Sequence, residues 1–117
     1  MGYKIGIAGL GFFGTHFVEL FQAHPRVDAL AIADLVPERT RTVGDEFDIT
    51  ERYDSLDVML DSDVDAVAIF SQRHLHGPQA VKALKAGKHV YSAVPAAITL
   101  KELEDLVRTV EETGLLY

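Results

Sequence analysis

An α/β fold with a doubly wound, mostly parallel sheet is predicted by three features of this 117-residue chain. Short apolar runs alternate with segments of helical periodicity from end to end, which is the rhythm of linked βαβ units. The first junction, Gly9-Leu10-Gly11-Phe12-Phe13-Gly14, is a G-x-G-x-x-G turn directly after the apolar run Ile5-Gly6-Ile7-Ala8. The run Asp65–Phe70 is apolar throughout after its first residue, as a strand covered on both faces should be. Right-handed crossovers and the glycine turn after the first strand favour strand order 3-2-1-4-5, with a truncated sixth strand.

The elements follow in chain order. Tyr3–Ala8 is the first strand. Phe12–Ala23 is a helix with Phe13, Phe17, Leu20 and Phe21 on one face. Val27–Ala33 is the second strand. Pro37 suits the first turn of a helix that runs to about Phe47, and Glu38 stands near its positive end. Ile49–Tyr53 is a short third strand, and Ser55 caps a brief helix through Leu60. Asp65–Phe70 is the fourth strand. Leu75–Ala86 is a helix stopped by Gly87, and Lys88–Tyr91 is the fifth strand. Thr99-Leu100-Lys101-Glu102 is a capping box that opens the last helix. Its apolar stripe is Leu100, Leu103, Leu106, Val107 and Val110, and Gly114 ends it. Leu115-Leu116-Tyr117 begins a sixth strand.

The glycine turn carries the first chemical reading. The first glycine makes the tight turn, the second lets backbone approach a pyrophosphate, and the third lets helix and sheet pack closely. The helix that follows aims unpaired N–H groups at the phosphates. Asp34 closes the second strand about 20 residues after the third glycine, where a carboxylate meets an adenosine ribose. The joint pattern predicts a Rossmann fold and a dinucleotide ligand. A 2′-phosphate would be repelled by Asp34, so NAD is expected over NADP. Arg39 and Arg41 read as surface residues.

Two further segments converge on the carboxyl ends of the strands, Phe70–His76 and Ser92–Ala97. The polar loop Ser71-Gln72-Arg73-His74-Leu75-His76 either lines the nicotinamide end of the cofactor or is an ordinary polar helix start. His74 and His76, two apart, share no helical face and make a poor metal pair. His16, His24 and His89 read as structural or surface residues. The Asp61–Asp65 cluster lacks the glycine and final glutamate of a calcium loop.

Composition narrows the field. Eleven basic and eighteen acidic residues give a net charge of −7, which argues against a nucleic-acid or anionic-membrane partner. An anionic cofactor must then be held by local geometry. The chain has no cysteine, so disulfides and thiolate chemistry are excluded. No apolar run approaches the ~20 residues of a membrane span. The expected location is the cytoplasm.

Taken in order, "KIGIAGLGFFGTHF", "IAD", "VDAVAIF" and "HLHGPQAVKALKAGKHVYSAVPAAITLKELEDLV" resemble the nucleotide-binding half of the glucose–fructose oxidoreductase/inositol dehydrogenase/MocA family. The resemblance covers essentially the whole chain. It implies that Gly9, Gly11, Phe12, Phe13 and Gly14 form the pyrophosphate loop and that Asp34 meets the ribose. Ser71, Gln72 and His76 take the places of the family's Thr, Pro and His beside the cofactor. Val94 and Pro95 stand in the E-K-P segment, where a cis proline is implied.

The chain departs from the family there. Ala93 replaces the glutamate, and Val94 replaces the lysine that assists proton transfer. Valine has no ionisable group, so no catalytic residue is assigned. The family's substrate domain is also not among these residues, and the chain is expected to be a fragment or a naturally short form. Two alternatives stay open: a regulatory or scaffold module that holds NAD(H) without turnover, and a methyltransferase. The edge left by the fifth strand predicts a homo-oligomer.

Overall fold

The computed structural model describes residues 2–117. Five strands, β1 (Tyr3–Ala8), β2 (Val27–Ala33), β3 (Glu51–Tyr53), β4 (Ala66–Ile69) and β5 (His89–Ser92), form one parallel sheet. Their order is β3-β2-β1-β4-β5, as the crossover rule predicts. Period-two alternation divides the strand side chains between two faces. Ile7, Leu30, Ile32 and Ala68 join one core, and Ala8, Ala31, Ala33, Val67 and Ile69 join the other.

Helices α1 (Phe12–Ala23) and α2 (Pro37–Phe47) cover the first face through Val18 and Val43. Helices α3 (Leu56–Met59), α4 (His76–Lys85) and α5 (Leu100–Thr113) cover the second through Met59, Leu84 and Leu106. Each such buried aliphatic side chain contributes about 1.5–3 kcal/mol. Gly6 makes room for one of them. A Cβ there would lie 2.7 Å from the sulfur of the fully buried Met59. The strand order reverses between β1 and β4, so a crevice opens above their carboxyl ends.

Capping chemistry fixes several boundaries. Thr99 and Glu102 form the reciprocal capping box of α5, and Ser55 accepts the Val58 N–H at the start of α3. Other ends differ from the sequence expectation. β3 starts at Glu51 because Asp48, in the left-handed region at φ 57°, and Ile49, bonded to the Gly44 carbonyl, still belong to the end of α2. β5 starts one residue late because the Lys88 N–H bonds back to Ala83. A 3-10 turn at Arg73–Leu75 precedes α4, which begins at His76.

Two predicted apolar faces are also only half used. Leu20 on α1 is exposed, and Gly14 and Val18 face the core instead. Leu100, Leu103 and Val107 on α5 are exposed, while Leu106 and Thr109 are buried. Helical spacing cannot distinguish a wide stripe that is wholly covered from one covered along one side. The Leu115–Tyr117 segment forms no strand, although its Leu116 carbonyl accepts the Val90 N–H at 3.0 Å.

Lys4 lies at the amino end of the sheet, where it pairs with Glu51 and with Asp63 at 2.7 Å. Hydrogen bonds to Asp63 and Glu51 raise the Lys4 pKa above the ordinary lysine value, and the bond to Lys4 lowers that of Asp63. The signs set two windows. The Lys4 contribution is present below the ordinary lysine value and is lost as pH rises through the raised one. The Asp63 contribution is present above the ordinary carboxylate value and is lost as pH falls through the lowered one. Denaturation of Lys4→Met across pH should therefore show a stability gap from wild type that closes at both extremes. A gap independent of pH would assign Lys4 a packing role only.

Candidate functional site

The three glycines of the turn have three different surroundings. Gly9 sits at φ 97°, and a Cβ there would come 2.6 Å from the Phe70 carbonyl carbon and the Ser71 nitrogen. It therefore lets the ends of β1 and β4 touch. A Cβ on Gly14 would stand 2.0 Å from the Gly9 carbonyl oxygen, so α1 can rest on the turn only with glycine there. A Cβ on Gly11 would meet nothing within 4 Å. Gly11 is also the N-cap of α1, which has no side-chain cap and no acidic residue in its first turn. The outer N–H groups of that helix end are thus left to a ligand.

Asp34, at the end of β2, is turned inward. One carboxylate oxygen accepts the Leu10 N–H at 2.8 Å and the other accepts the Val36 N–H at 2.8 Å. Its side chain is 7% exposed, and an Arg39 nitrogen stands 3.7 Å from it. The carboxylate fastens the glycine turn to the first residues of α2. Each oxygen keeps lone-pair capacity for a further donor such as a sugar hydroxyl.

Beside Asp34, a cleft of about 500 Å³ runs between α1 and α2. Gly11, Thr15 and His16 line one wall, and Arg39 and Thr42 line the other. Thr15 and Thr42 did not emerge from motif reading. The signal was their helical spacing from Gly11 and Glu38, which puts them on the cleft side of each helix.

On the opposite side of the crevice, His76 is buried, with Nδ1 2.8 Å from the Pro95 carbonyl and Nε2 2.7 Å from the Ser71 carbonyl. Ser71 is half-buried and its hydroxyl bonds Gln79. Gln72 is exposed. The Val94–Pro95 bond is cis. Val94 is 87% exposed and Phe12 is 86% exposed, while Phe13 lies over Phe17 with ring centroids 5.1 Å apart. The two halves of the site meet at Gly9 and Phe70. Asp34 and the glycine turn lie to one side of that seam, and the Ser71 loop and Pro95 segment lie to the other.

A glycine turn under an uncapped helix end, a carboxylate closing β2 and a crevice at the sheet's switch point define a dinucleotide-binding Rossmann domain. The residues fit the group, because the open space over Gly11 is what a pyrophosphate needs. The chain belongs to the oxidoreductase family with an NAD-binding Rossmann fold, the glucose–fructose oxidoreductase/inositol dehydrogenase/MocA family, whose sequence model matches residues 3–117. It is an NAD-binding family.

Among its relatives, inositol 2-dehydrogenase of Salmonella typhimurium is 30% identical, over 97% of this chain and 35% of that enzyme. A 2,7-anhydro-N-acetylneuraminate hydratase of Mediterraneibacter gnavus is 27% identical, over 100% of this chain and 30% of that protein. The structure of scyllo-inositol dehydrogenase from Lactobacillus casei with bound NAD(H) and scyllo-inositol superposes with a TM-score of 0.91. It is 30% identical, over 99% of this chain and 35% of that one. The chain thus spans about a third of the length of these relatives. No helix among the described residues is long and apolar enough to cross a membrane.

Proposed function

We propose that this chain is the cofactor-holding unit of a polyol- or sugar-type dehydrogenase and has no turnover by itself. The space over Gly11, at the uncapped end of α1, carries the reading. Gly9, Gly11, Phe12, Phe13 and Gly14 surround the pyrophosphate, and Asp34 takes the ribose hydroxyls. Ser71, Gln72, His76, Val94 and Pro95 frame the nicotinamide side, His76 from beneath. The parent chemistry is hydride transfer between nicotinamide C4 and a carbon that bears a hydroxyl. The proton released from that hydroxyl needs a base, and Val94, at the family's lysine position, cannot supply one.

A second reading, a regulatory or scaffold module that holds NAD(H), is favoured by the same valine. The charge of −7 suits a cytoplasmic protein without nucleic-acid or anionic-membrane partners.

Calorimetry should show NAD binding more tightly than NADP by at least ~1 kcal/mol, from the carboxylate facing a 2′-phosphate. Equal affinities would remove Asp34 as the discriminator. Incubation of the chain with NAD and a panel of polyols, sugars and hydroxy acids should produce no steady NADH. Turnover by a longer form of the protein would select the dehydrogenase reading over the scaffold.

Self-association belongs to the same proposal. The outer edge of β5 is met by the Leu116 carbonyl at Val90, and Leu100, Leu103 and Val107 of α5 and Leu116 are exposed. Such an edge pairs readily with a second copy. Sedimentation at micromolar to tens-of-micromolar protein should show a dimer, and a monomer throughout would refute it.

A further inference from the structure

A second cleft, of about 380 Å³, lies between α4 and α5, on the face of the sheet opposite the α1–α2 cleft. Its α4 wall is Gly77, Pro78, Val81, Lys82 and Lys85, whose spacings of three and four put them on one side of the helix. Glu102 and Asp105 form the α5 wall. Gly77 closes the end nearest the crevice. A Cβ there would lie 3.1 Å from the Ala97 Cβ and 3.4 Å from the Glu102 Cβ, so α4 closely meets both α5 and the segment after β5. Pro78 and Val81 make the floor apolar, and the carbon stems of Lys82 and Lys85 extend it. A cleft of this size, mainly apolar with a small number of placed polar groups, has the make-up of a small-molecule site.

The charges around the cleft select its ligand. Lys82 pairs with Asp57 at 2.9 Å. Glu102 accepts the Ile98 and Thr99 N–H groups at 3.2 Å. Asp105 pairs with Lys101 at 2.8 Å and also with Arg108. The Lys101 hydrogen bond, with the charges of Arg108 and Lys85 adding to it, holds the Asp105 carboxyl below the ordinary carboxylate value. Among the described residues Lys85, in the last turn of α4, makes no ion pair. A ligand ammonium would find both carboxylates engaged, whereas a ligand carboxylate finds a free cation beside an apolar floor.

We propose that this cleft is a binding site for a small carboxylate with an apolar body. The body rests on Pro78 and Val81, and the carboxylate meets the Lys85 ammonium. The occupant presses on Gly77 and Glu102, and through Gly77 on Ala97 at the nicotinamide side of the crevice. The site stands apart from the dinucleotide reading, and its test needs no nucleotide.

Phenylacetate and isovalerate, one planar and one branched, are titrated into the full chain and followed by amide NMR. At least one should give saturable shifts at Gly77, Val81, Glu102 and Ala97. Acetate, which lacks the body, should not saturate there. The amide of the acid that binds keeps its shape and loses its charge. It should bind about three- to fivefold more weakly, the range of an exposed ion pair. In Lys85→Gln the acid and its amide should bind alike, and the fold should be kept because Lys85 is exposed. Pro78→Glu puts a carboxylate on the floor, in the first turn of α4 where a helix favours one, and should abolish saturation by the acid.

Shifts centred on Gly11–Thr15 would mark an anion at the α1 N-terminus instead and overturn the site. An acid-over-amide preference that survives in Lys85→Gln, or no saturation by either acid in the wild type, would do the same. NADH titration is scored separately. Its failure while the cleft saturates as expected counts against the proposed function alone.

Discussion

Gly11→Ala should fold as the wild type does and lose its dinucleotide, whereas Gly14→Ala should lose the fold. The two substitutions add the same methyl group to the same turn. At Gly14 that carbon would lie 2.0 Å from the Gly9 carbonyl oxygen and 3.1 Å from the Phe70 Cβ. Neither neighbour can move without separating α1 from β1 and β4, and overpacking of that kind costs about 3 kcal/mol. At Gly11 the carbon would enter open space, with φ −72° and ψ −168° that alanine tolerates. The cost there is within about 1 kcal/mol, the usual penalty for alanine at an N-cap.

The methyl on Gly11 would instead occupy the ground over the α1 N-terminus. NAD affinity should fall at least ~tenfold, or about 1.4 kcal/mol. Urea denaturation and calorimetry on the same two proteins separate the effects. Gly11→Ala binding NAD at wild-type affinity would place the pyrophosphate elsewhere.

The second large effect is expected at Asp34. Asp34→Ala leaves the buried Leu10 N–H and the partly buried Val36 N–H without their acceptor, and it removes the fastening between the glycine turn and α2. Unpaired buried donors cost about 1–3 kcal/mol each, so a loss of roughly 2 kcal/mol or more is expected in chemical denaturation. Asp34→Asn keeps one acceptor oxygen but turns an NH₂ group toward the other N–H. It should recover only part of that loss. In both variants the preference for NAD over NADP should narrow, because the charge facing a 2′-phosphate is gone. A melting temperature equal to wild type in Asp34→Ala would mean that the carboxylate serves the ligand alone.

Much of this molecule was legible beforehand, for identifiable reasons. β1, α1 and β2 begin and end where apolar runs and the glycine turn put them, because each boundary is set by residues in the boundary itself. The Thr99 capping box and the Gly114 stop bound α5 in the same way. The short elements were less exact. β3 and β5 each lose their first predicted residue, or residues, to hydrogen bonds that close the preceding helix. Those bonds compete with the sheet over the same N–H groups, and propensity does not rank them.

The candidate site divides along the same line. The glycine spacing and the distance to Asp34 were visible as a pattern, but the pattern treats the three glycines and the carboxylate as one ligand-binding set. The structure separates their jobs. Gly9 and Gly14 are required by backbone contacts within the protein, and only Gly11 is open. Asp34 is bonded inside the protein before any ribose arrives. His76 could be placed near the crevice, but its two carbonyl partners lie five and nineteen residues away.

The sequence by itself determined the fold class, the strand order and the kind of ligand. These follow from periodicity, turn chemistry and spacing, all of which act over a few residues or one βαβ unit. Only the tertiary structure decided which glycine faces open space, which way Asp34 points, what His76 holds, and which apolar stripe of α5 is left uncovered. Each of those depends on atoms brought together from distant segments, and a one-dimensional pattern carries no information about the direction of a side chain across such a contact.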